Sequence, residues 1–305
     1  MTVVAVLGAG GVGGFVAAAL ARAGTDVVIV ARESTAAQLN ADGLRVASRV
    51  LGDFAVRVPA VAELTGNAGV LLVATKATGL GDALGRVGTA PGLVVPLLNG
   101  IDHLEVLRDR FGADRVAAGV IRIESDRPAT GEIIQTSPGC RIDMASGRSE
   151  LAPALRELAG LLALAGIEAR IGDSERQVMW SKLARLCALA LTTSAADRPI
   201  GFVRADPRWR SALAGAVNET IAVANADGAD LAAAGTLAEL DAAHAELGSS
   251  MQRDIAAGRP TELDAIAGAV LRAAQRHRLR CPTVQWLAER VALKIGARLS
   301  GPEIR

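Results

Sequence analysis

The chain has 305 residues, half of them hydrophobic and 21% charged, and its formal net charge is +1. That length suits two domains, the balance is that of a folded globular chain, and the near-zero charge excludes the basic surplus of a nucleic-acid binder. Apolar runs are broken by charge or glycine well short of the roughly 20 clean residues that span a bilayer, so no membrane partner is expected. Met1-Thr2 leads into an apolar stretch without a basic flank, which gives no sign of a secretory leader. Cys140, Cys187 and Cys281 are isolated and lack metal-ligand spacing, so the expectation is a cytoplasmic, reduced protein without a metal. Tyrosine is absent and histidine occurs three times. Reductases that protonate through a tyrosine hydroxyl, such as short-chain dehydrogenases and aldo-keto reductases, are thereby excluded, and a general acid has to be Lys, His or a carboxylic acid.

In chain order, the first half alternates short β-branched runs with helical segments, the pattern of a parallel sheet covered by helices. Residues 3–7 read as a buried strand, 13–23 as a helix stopped by Gly24, and 27–30 as the second strand. Later strands are expected at 70–75 and 93–98. Shorter ones at 116–123, 132–136 and 141–144 are expected to extend the sheet antiparallel, and a helix over 151–165 with a strand at 168–171 closes the domain. After Gly172-Asp173 helical periodicity takes over. Candidate helices lie at 174–192, 207–226, 237–247, 250–257, 260–275 and 282–295, separated by Gly and Pro. The expected fold class is α/β: a Rossmann-type dinucleotide-binding domain over residues 1–172, followed by an all-α C-terminal domain over residues 173–305, with residues 300–305 fraying. A homodimer through the helical domain fits its apolar helices, such as 282–295, although packing within the domain accounts for them equally well.

Gly8-Ala9-Gly10-Gly11-Val12-Gly13 fits G-x-G-x-x-G between a buried strand and a helix. Gly8 permits the tight turn, Gly10 lets the backbone approach a pyrophosphate, and Gly13 lets the helix pack closely on the strand. The phosphates then meet the N–H groups of a helix amino terminus. The end of the second strand selects the dinucleotide. Ala31 leaves room and Arg32 offers a guanidinium for a 2′-phosphate, which favours NADP(H). Glu33, near the position where an NAD enzyme places its ribose-binding acid, is the competing reader. Lys76 and Asn99 follow the later strands, at the edge where ligands of such sheets lie, so cofactor or substrate contact is set against an ordinary loop role. His103 is read as helix surface.

In the helical half, Lys182 has Val178, Met179 and Leu186 one turn away. Its stem lying along apolar surface is one reading. A partly desolvated ammonium able to protonate an alkoxide is the other. Glu262 follows Arg259-Pro260-Thr261 and is expected in the first turn of a helix, where a carboxylate is favourable for dipole reasons alone. Ser249 with Gln252 makes a capping box, and the same turn, with Ser250, offers hydroxyls and N–H groups suited to a carboxylate.

Taken in order, Gly8–Gly13, Thr75-Lys76-Ala77, Leu98-Asn99-Gly100, Trp180-Ser181-Lys182-Leu183 and Ser249-Ser250-Met251 through Thr261-Glu262-Leu263-Asp264 resemble the ketopantoate reductase (2-dehydropantoate 2-reductase) family over essentially the whole chain. The resemblance implies NADPH-dependent reduction of a ketone or 2-keto acid at a cleft between the two domains. It implies Lys182 as catalytic acid and substrate contact, Glu262 at the cofactor ribose, and Asn99 at both cofactor and substrate. It further implies Ser250 at the substrate, Lys76 at the cofactor, and Arg32 as reader of the 2′-phosphate. The family's amide side chains downstream of the lysine are replaced here by Leu186, Ala190 and Ile200, which points to a substrate more apolar than ketopantoate. Two rival readings are a β-hydroxyacid or opine-type dehydrogenase and a non-catalytic NADP(H) sensor, which needs neither Lys182 nor Glu262.

Overall fold

A computed structural model describes residues 2–296; the fraying expected at residues 300–305 lies outside them. The chain forms two compact units, one of Met1–Leu98 and His103–Val178, the other of Asn99–Asp102 and Met179–Arg305. The division differs from a single boundary at residue 172 in two ways. It falls after Val178, inside a helix, and it assigns the four residues Asn99–Asp102 to the second unit.

The first unit begins β1 (Val4–Leu7), α1 (Gly11–Arg22), β2 (Val27–Val30), α2 (Glu33–Asp42), β3 (Leu44–Ser48), β4 (Phe54–Val56), β5 (Ala60–Val61) and β6 (Val70–Val73). It continues through α3 (Leu80–Leu84), β7 (Leu93–Pro96), α4 (His103–Phe111), β8 (Ala118–Arg122) and β9 (Ser125–Asp126). It ends with β10 (Glu132–Gln135), β11 (Arg141–Ala145), α5 (Ala152–Leu164) and β12 (Glu168–Ile171). Five strands form a wholly parallel sheet in the order β5-β2-β1-β6-β7. Strands β1, β6 and β7 are buried at every position, which is why they read as unbroken apolar runs without alternation. The strand order reverses at β1, so the turn after β1 occupies the switch point of the sheet.

The later strands do not extend this sheet as one antiparallel continuation. Val116 bridges Val94 in parallel, and β8 leads into a three-stranded sheet β12-β11-β8, with β11 antiparallel to β8 and parallel to β12. β10 departs to a separate sheet, β4-β3-β10-β9. Its parallel partner β3 alternates buried Leu44, Val46 and Ser48 with exposed Arg45 and Ala47. With Arg and Ala on its open face that segment carries little strand signal, so the partner that draws β10 away is hard to see in sequence. His103 is buried at the start of α4 rather than on the helix surface.

The second unit comprises most of α6 (Glu175–Ala196), then α7 (Ile200–Ala205), α8 (Pro207–Ala226), α9 (Ala233–Ala242) and α10 (Ser250–Ala256). A π-helical turn over Asp264–Gly268 runs into α11 (Ala269–Arg276), and α12 (Pro282–Ile295) closes the described chain. Helix α9 ends earlier than its periodicity suggests because Ala243 is extended and the following residues pair with α7: Gly201 N donates to Ala245 O at 2.8 Å and Ile200 N to Leu247 O at 2.8 Å. The core centres on Trp180, 1% exposed, whose Nε1 donates to Asp227 Oδ2 at 2.8 Å. His277 Nε2 lies 3.0 Å from the other oxygen of Asp227, so both oxygens of that buried carboxylate are met. Among the described residues no helix is long and apolar enough to cross a membrane.

All three cysteines are buried, and burial disfavours the thiolate. It pushes the thiols of Cys140 and Cys187 up to about 12 and that of Cys281 to about 11. At about pH 8 the native protein is therefore expected to leave Ellman's reagent unreacted, with all three thiols appearing on denaturation. Rapid labelling of native protein contradicts this packing.

Candidate active site

The turn between β1 and α1 separates the work of its glycines. Gly8 has φ +105°, and a Cβ there would lie 2.9 Å from Ala74 O. A Cβ on Gly13 would collide with the carbonyl oxygen of Gly8, which is how the helix comes so near the strand. Gly11 is pressed by β9: its Cβ would lie 2.7 Å from Ser125 O, and Ser125 Oγ donates to Gly11 O at 2.9 Å. Gly10 differs from these, since nothing lies within 4 Å of where its Cβ would be. It is the N-cap of α1, and no side chain caps the first-turn N–H groups of that helix. An anion such as a pyrophosphate fits there on both steric and electrostatic grounds. Ala9 and Val12 are partly buried against the core of this unit.

The other sequence-marked residues of the first unit share that edge of the sheet. Ala31 is buried after β2, and Arg32 is exposed at the N-cap of α2. Glu33 is also exposed, as the first residue of that helix. Among the described residues neither side chain of this pair has a hydrogen-bonding or ionic partner. Lys76 is exposed just beyond β6.

In the second unit, Asn99 Nδ2 donates to Glu262 Oε2 at 2.8 Å, although the two residues are 163 positions apart. Glu262 is 7% exposed. It stands before the helical segment rather than in its first turn, and its own carbonyl accepts from Ile266 N at 3.0 Å. Attraction to a helix dipole is thus an incomplete account of this buried carboxyl group; Asn99 is its donor. Gly100 has φ +87°, and a Cβ there would collide with Ala265 O in the π turn. The Asn-Gly pair therefore follows from geometry: Asn99 binds Glu262 and Gly100 lets the backbone come close enough for it to do so.

Lys182 is half-buried on α6. Two residues of helix turn it by about 200° from Trp180, so the buried indole anchors one side of α6 while Lys182 leaves from the other. Ser250 is exposed at the start of α10. Buried Ser249 caps that helix, its Oγ accepting from Gln252 N at 3.1 Å and from Thr193 Oγ1 at 3.0 Å. The three aliphatic positions divide. Ala190 and Ile200 are 0% exposed within the core of this unit, while Leu186 is half-buried at its margin. Ala190 and Ile200 are packing residues here, and Leu186 alone of the three keeps an accessible surface. Nothing in the sequence pointed to Ser125 beside Gly11, because a two-residue strand has no periodicity. Among the described residues no cluster of His, Cys, Asp or Glu could hold a metal ion.

Comparison with known proteins identifies the family. Residues 4–146 match the family described as "Ketopantoate reductase PanE/ApbA", and residues 175–294 match its C-terminal counterpart. The chain is 29% identical over 290 residues to the uncharacterized oxidoreductase YkpB of Bacillus subtilis, covering 92% of this chain and 94% of that protein. It is 30% identical over 292 residues to 2-dehydropantoate 2-reductase of Caulobacter vibrioides, covering 92% and 95%. A solved 2-dehydropantoate 2-reductase from Geobacter metallireducens superposes with a TM-score of 0.88 at 27% identity, over 95% of this chain and 99% of that one.

The contrast between Gly10 and Gly13 is testable in denaturant. Gly13→Ala is expected to destabilise the protein by about 1–3 kcal/mol, the cost of overpacking. Gly10→Ala has room for its methyl group and is expected to unfold within about 0.5 kcal/mol of wild type. Equal losses contradict the separation of roles.

Proposed function

This chain belongs to the ketopantoate reductase PanE/ApbA family, and from that premise we propose that it reduces a ketone or 2-keto acid to the alcohol in an NADPH-dependent reaction, in the cytoplasm. The observation that carries the reading is the Asn99–Glu262 hydrogen bond, which joins two family-motif residues distant in sequence. A nicotinamide dinucleotide, when bound, would supply the hydride for the carbonyl carbon. The chain's residues do the rest. Open space at Gly10 and the uncapped N–H groups of α1 receive the pyrophosphate. Arg32, exposed beyond Ala31 and without a side-chain partner among the described residues, would fork onto the 2′-phosphate, and Lys76 would add positive charge at the same sheet edge.

Lys182 donates a proton to the carbonyl oxygen as charge develops on it, so the ammonium becomes an amine and is recharged from water. Asn99 has one amide hydrogen committed to Glu262, which fixes its plane, and its remaining hydrogen and its oxygen would serve cofactor and substrate. Glu262 holds the ribose, and Ser250 binds the substrate's polar end. Leu186 sets the substrate's other requirement, since an aliphatic surface rewards an apolar substituent and offers no partner to a hydroxyl. The substrate class proposed is accordingly a 2-keto acid or ketone with a less polar chain than ketopantoate. Family membership disfavours the opine-type reading, and the sensor reading leaves Lys182 and Glu262 without purpose.

Lys182→Ala is expected to lower kcat by about 10²–10⁴-fold while NADPH binding persists, measured by steady-state kinetics and nucleotide fluorescence. Undiminished turnover removes Lys182 from the mechanism. Arg32→Ala is expected to weaken NADPH binding by about 10–100-fold and leave NADH binding nearly unchanged. Equal losses for the two nucleotides return the choice to Glu33.

A further inference from the structure

Asp264 belongs to the Thr261-Glu262-Leu263-Asp264 motif, yet the reaction described above gives it no task. It forms a charged cluster with Asp102 and Arg272, all in the second unit. Arg272 Nε and Nη2 donate to Asp102 Oδ2 at 3.1 and 2.7 Å. Its Nη1 donates to Asp264 Oδ1 at 2.8 Å, and its Nη2 reaches both the carbonyl oxygen and Oδ2 of Asp264 at 3.2 Å. The carbonyl of Asp264 also accepts from Ala269 N, the wide i→i+5 bond of the π turn. Gly268 makes room for the cluster, since a Cβ there would lie 2.8 Å from Arg272 Nη1 and would collide with Asp264 Oδ1.

Asp102 ends the segment that begins with Asn99, and Asp264 stands two residues beyond Glu262. One guanidinium therefore grips both pieces of chain that meet in the Asn99–Glu262 hydrogen bond. We infer that Arg272 is a positioning residue for the reaction: it holds the segment bearing Asn99 against the turn bearing Glu262 and so sets the aim of the Asn99 amide. The inference rests on the reductase reading of Asn99 and Glu262 given above. A four-residue segment containing a positive-φ glycine has little stiffness of its own. Here it is pinned at its start by Glu262, in the middle by the approach of Gly100 to Ala265, and at its end by Arg272. The planar fork matters, because a lysine offers a point charge and cannot meet two carboxylates in fixed directions.

Partial burial works against the charge of Arg272, but hydrogen bonds to Asp264 and Asp102, together with their charges, outweigh it, so its pKa is raised. Its side chain is nevertheless 39% exposed and that of Asp264 is 64% exposed. Ion pairs so open to water add little to global stability. The effect of removing Arg272 is therefore expected in catalysis and local order rather than in melting temperature.

The test compares Arg272→Gln, Arg272→Lys, Asn99→Ala and the Asn99→Ala/Arg272→Gln double variant, with the ketone or 2-keto acid that the wild type reduces best. Arg272→Gln is expected to lower kcat/KM by about 10–100-fold, the scale of a small misplacement of a reacting group, with Tm within about 2 °C of wild type. Arg272→Lys is expected to recover part of the loss. In the Asn99→Ala background, Arg272→Gln is expected to cost almost nothing further, because its effect runs through Asn99. Wild-type kcat/KM in Arg272→Gln, or losses that multiply with those of Asn99→Ala, overturn the inference. Hydrogen exchange gives a readout independent of turnover: Arg272→Gln is expected to speed exchange at the backbone amides of residues 99–102 and leave the core of α6 unchanged. Were no tested carbonyl compound reduced by the wild type, the reductase reading would fall, and unchanged exchange at residues 99–102 would separately overturn the Arg272 assignment. Asp102→Asn breaks the same link from its other side and serves if Arg272→Gln does not fold.

Discussion

A carboxyl group that leaves water has to be met by donors, or it costs several times what a hydrogen bond returns. Glu262 is 7% exposed, and its donor is Asn99, which reaches it from a segment lying far earlier in the chain. Other features of the second unit follow from that requirement. Gly100 must lack a side chain so that the segment can lie against Ala265, and Ile101 packs on the helical core. The turn after Glu262 widens into a π helix, whose first carbonyl serves both the backbone of Ala269 and the guanidinium of Arg272. Motif residues that look independent in sequence are parts of one arrangement around a single buried carboxyl group.

The nucleotide turn of the first unit is organised by a different constraint, that of space. Gly8, Gly11 and Gly13 are each held by neighbouring backbone, while Gly10 faces nothing. The first turn of α1 has no side-chain cap, and Ser125 Oγ donates to the carbonyl of Gly11 beside it. Arg32, the exposed N-cap of α2, has no side-chain partner among the described residues.

The three aliphatic residues downstream of Lys182 differ in burial. Ala190 and Ile200 belong to the core that also holds Trp180 and Cys187. Amides introduced there would be buried among apolar neighbours and would need partners of their own. Leu186 alone of the three is only partly buried.

The sequence by itself determined the elements whose signal is local. Strands β1, β6 and β7 were legible because burial on both faces makes them unbroken apolar runs. The turn of Gly8–Gly13 was legible because a tight turn and a close helix admit glycine alone at fixed spacings. The long helices α6, α8 and α12 carried enough turns for their periodicity to show. Tertiary structure decided what depends on distant partners. The defection of β10 to β3, the early end of α9 beside α7, the burial of His103 and the core location of Ala190 and Ile200 all arise from contacts that local propensity does not encode. The same holds for Glu262. Its place in a motif could be read, but the reason for it, an amide donor 163 residues away and a guanidinium bracing both, exists only once the chain has folded.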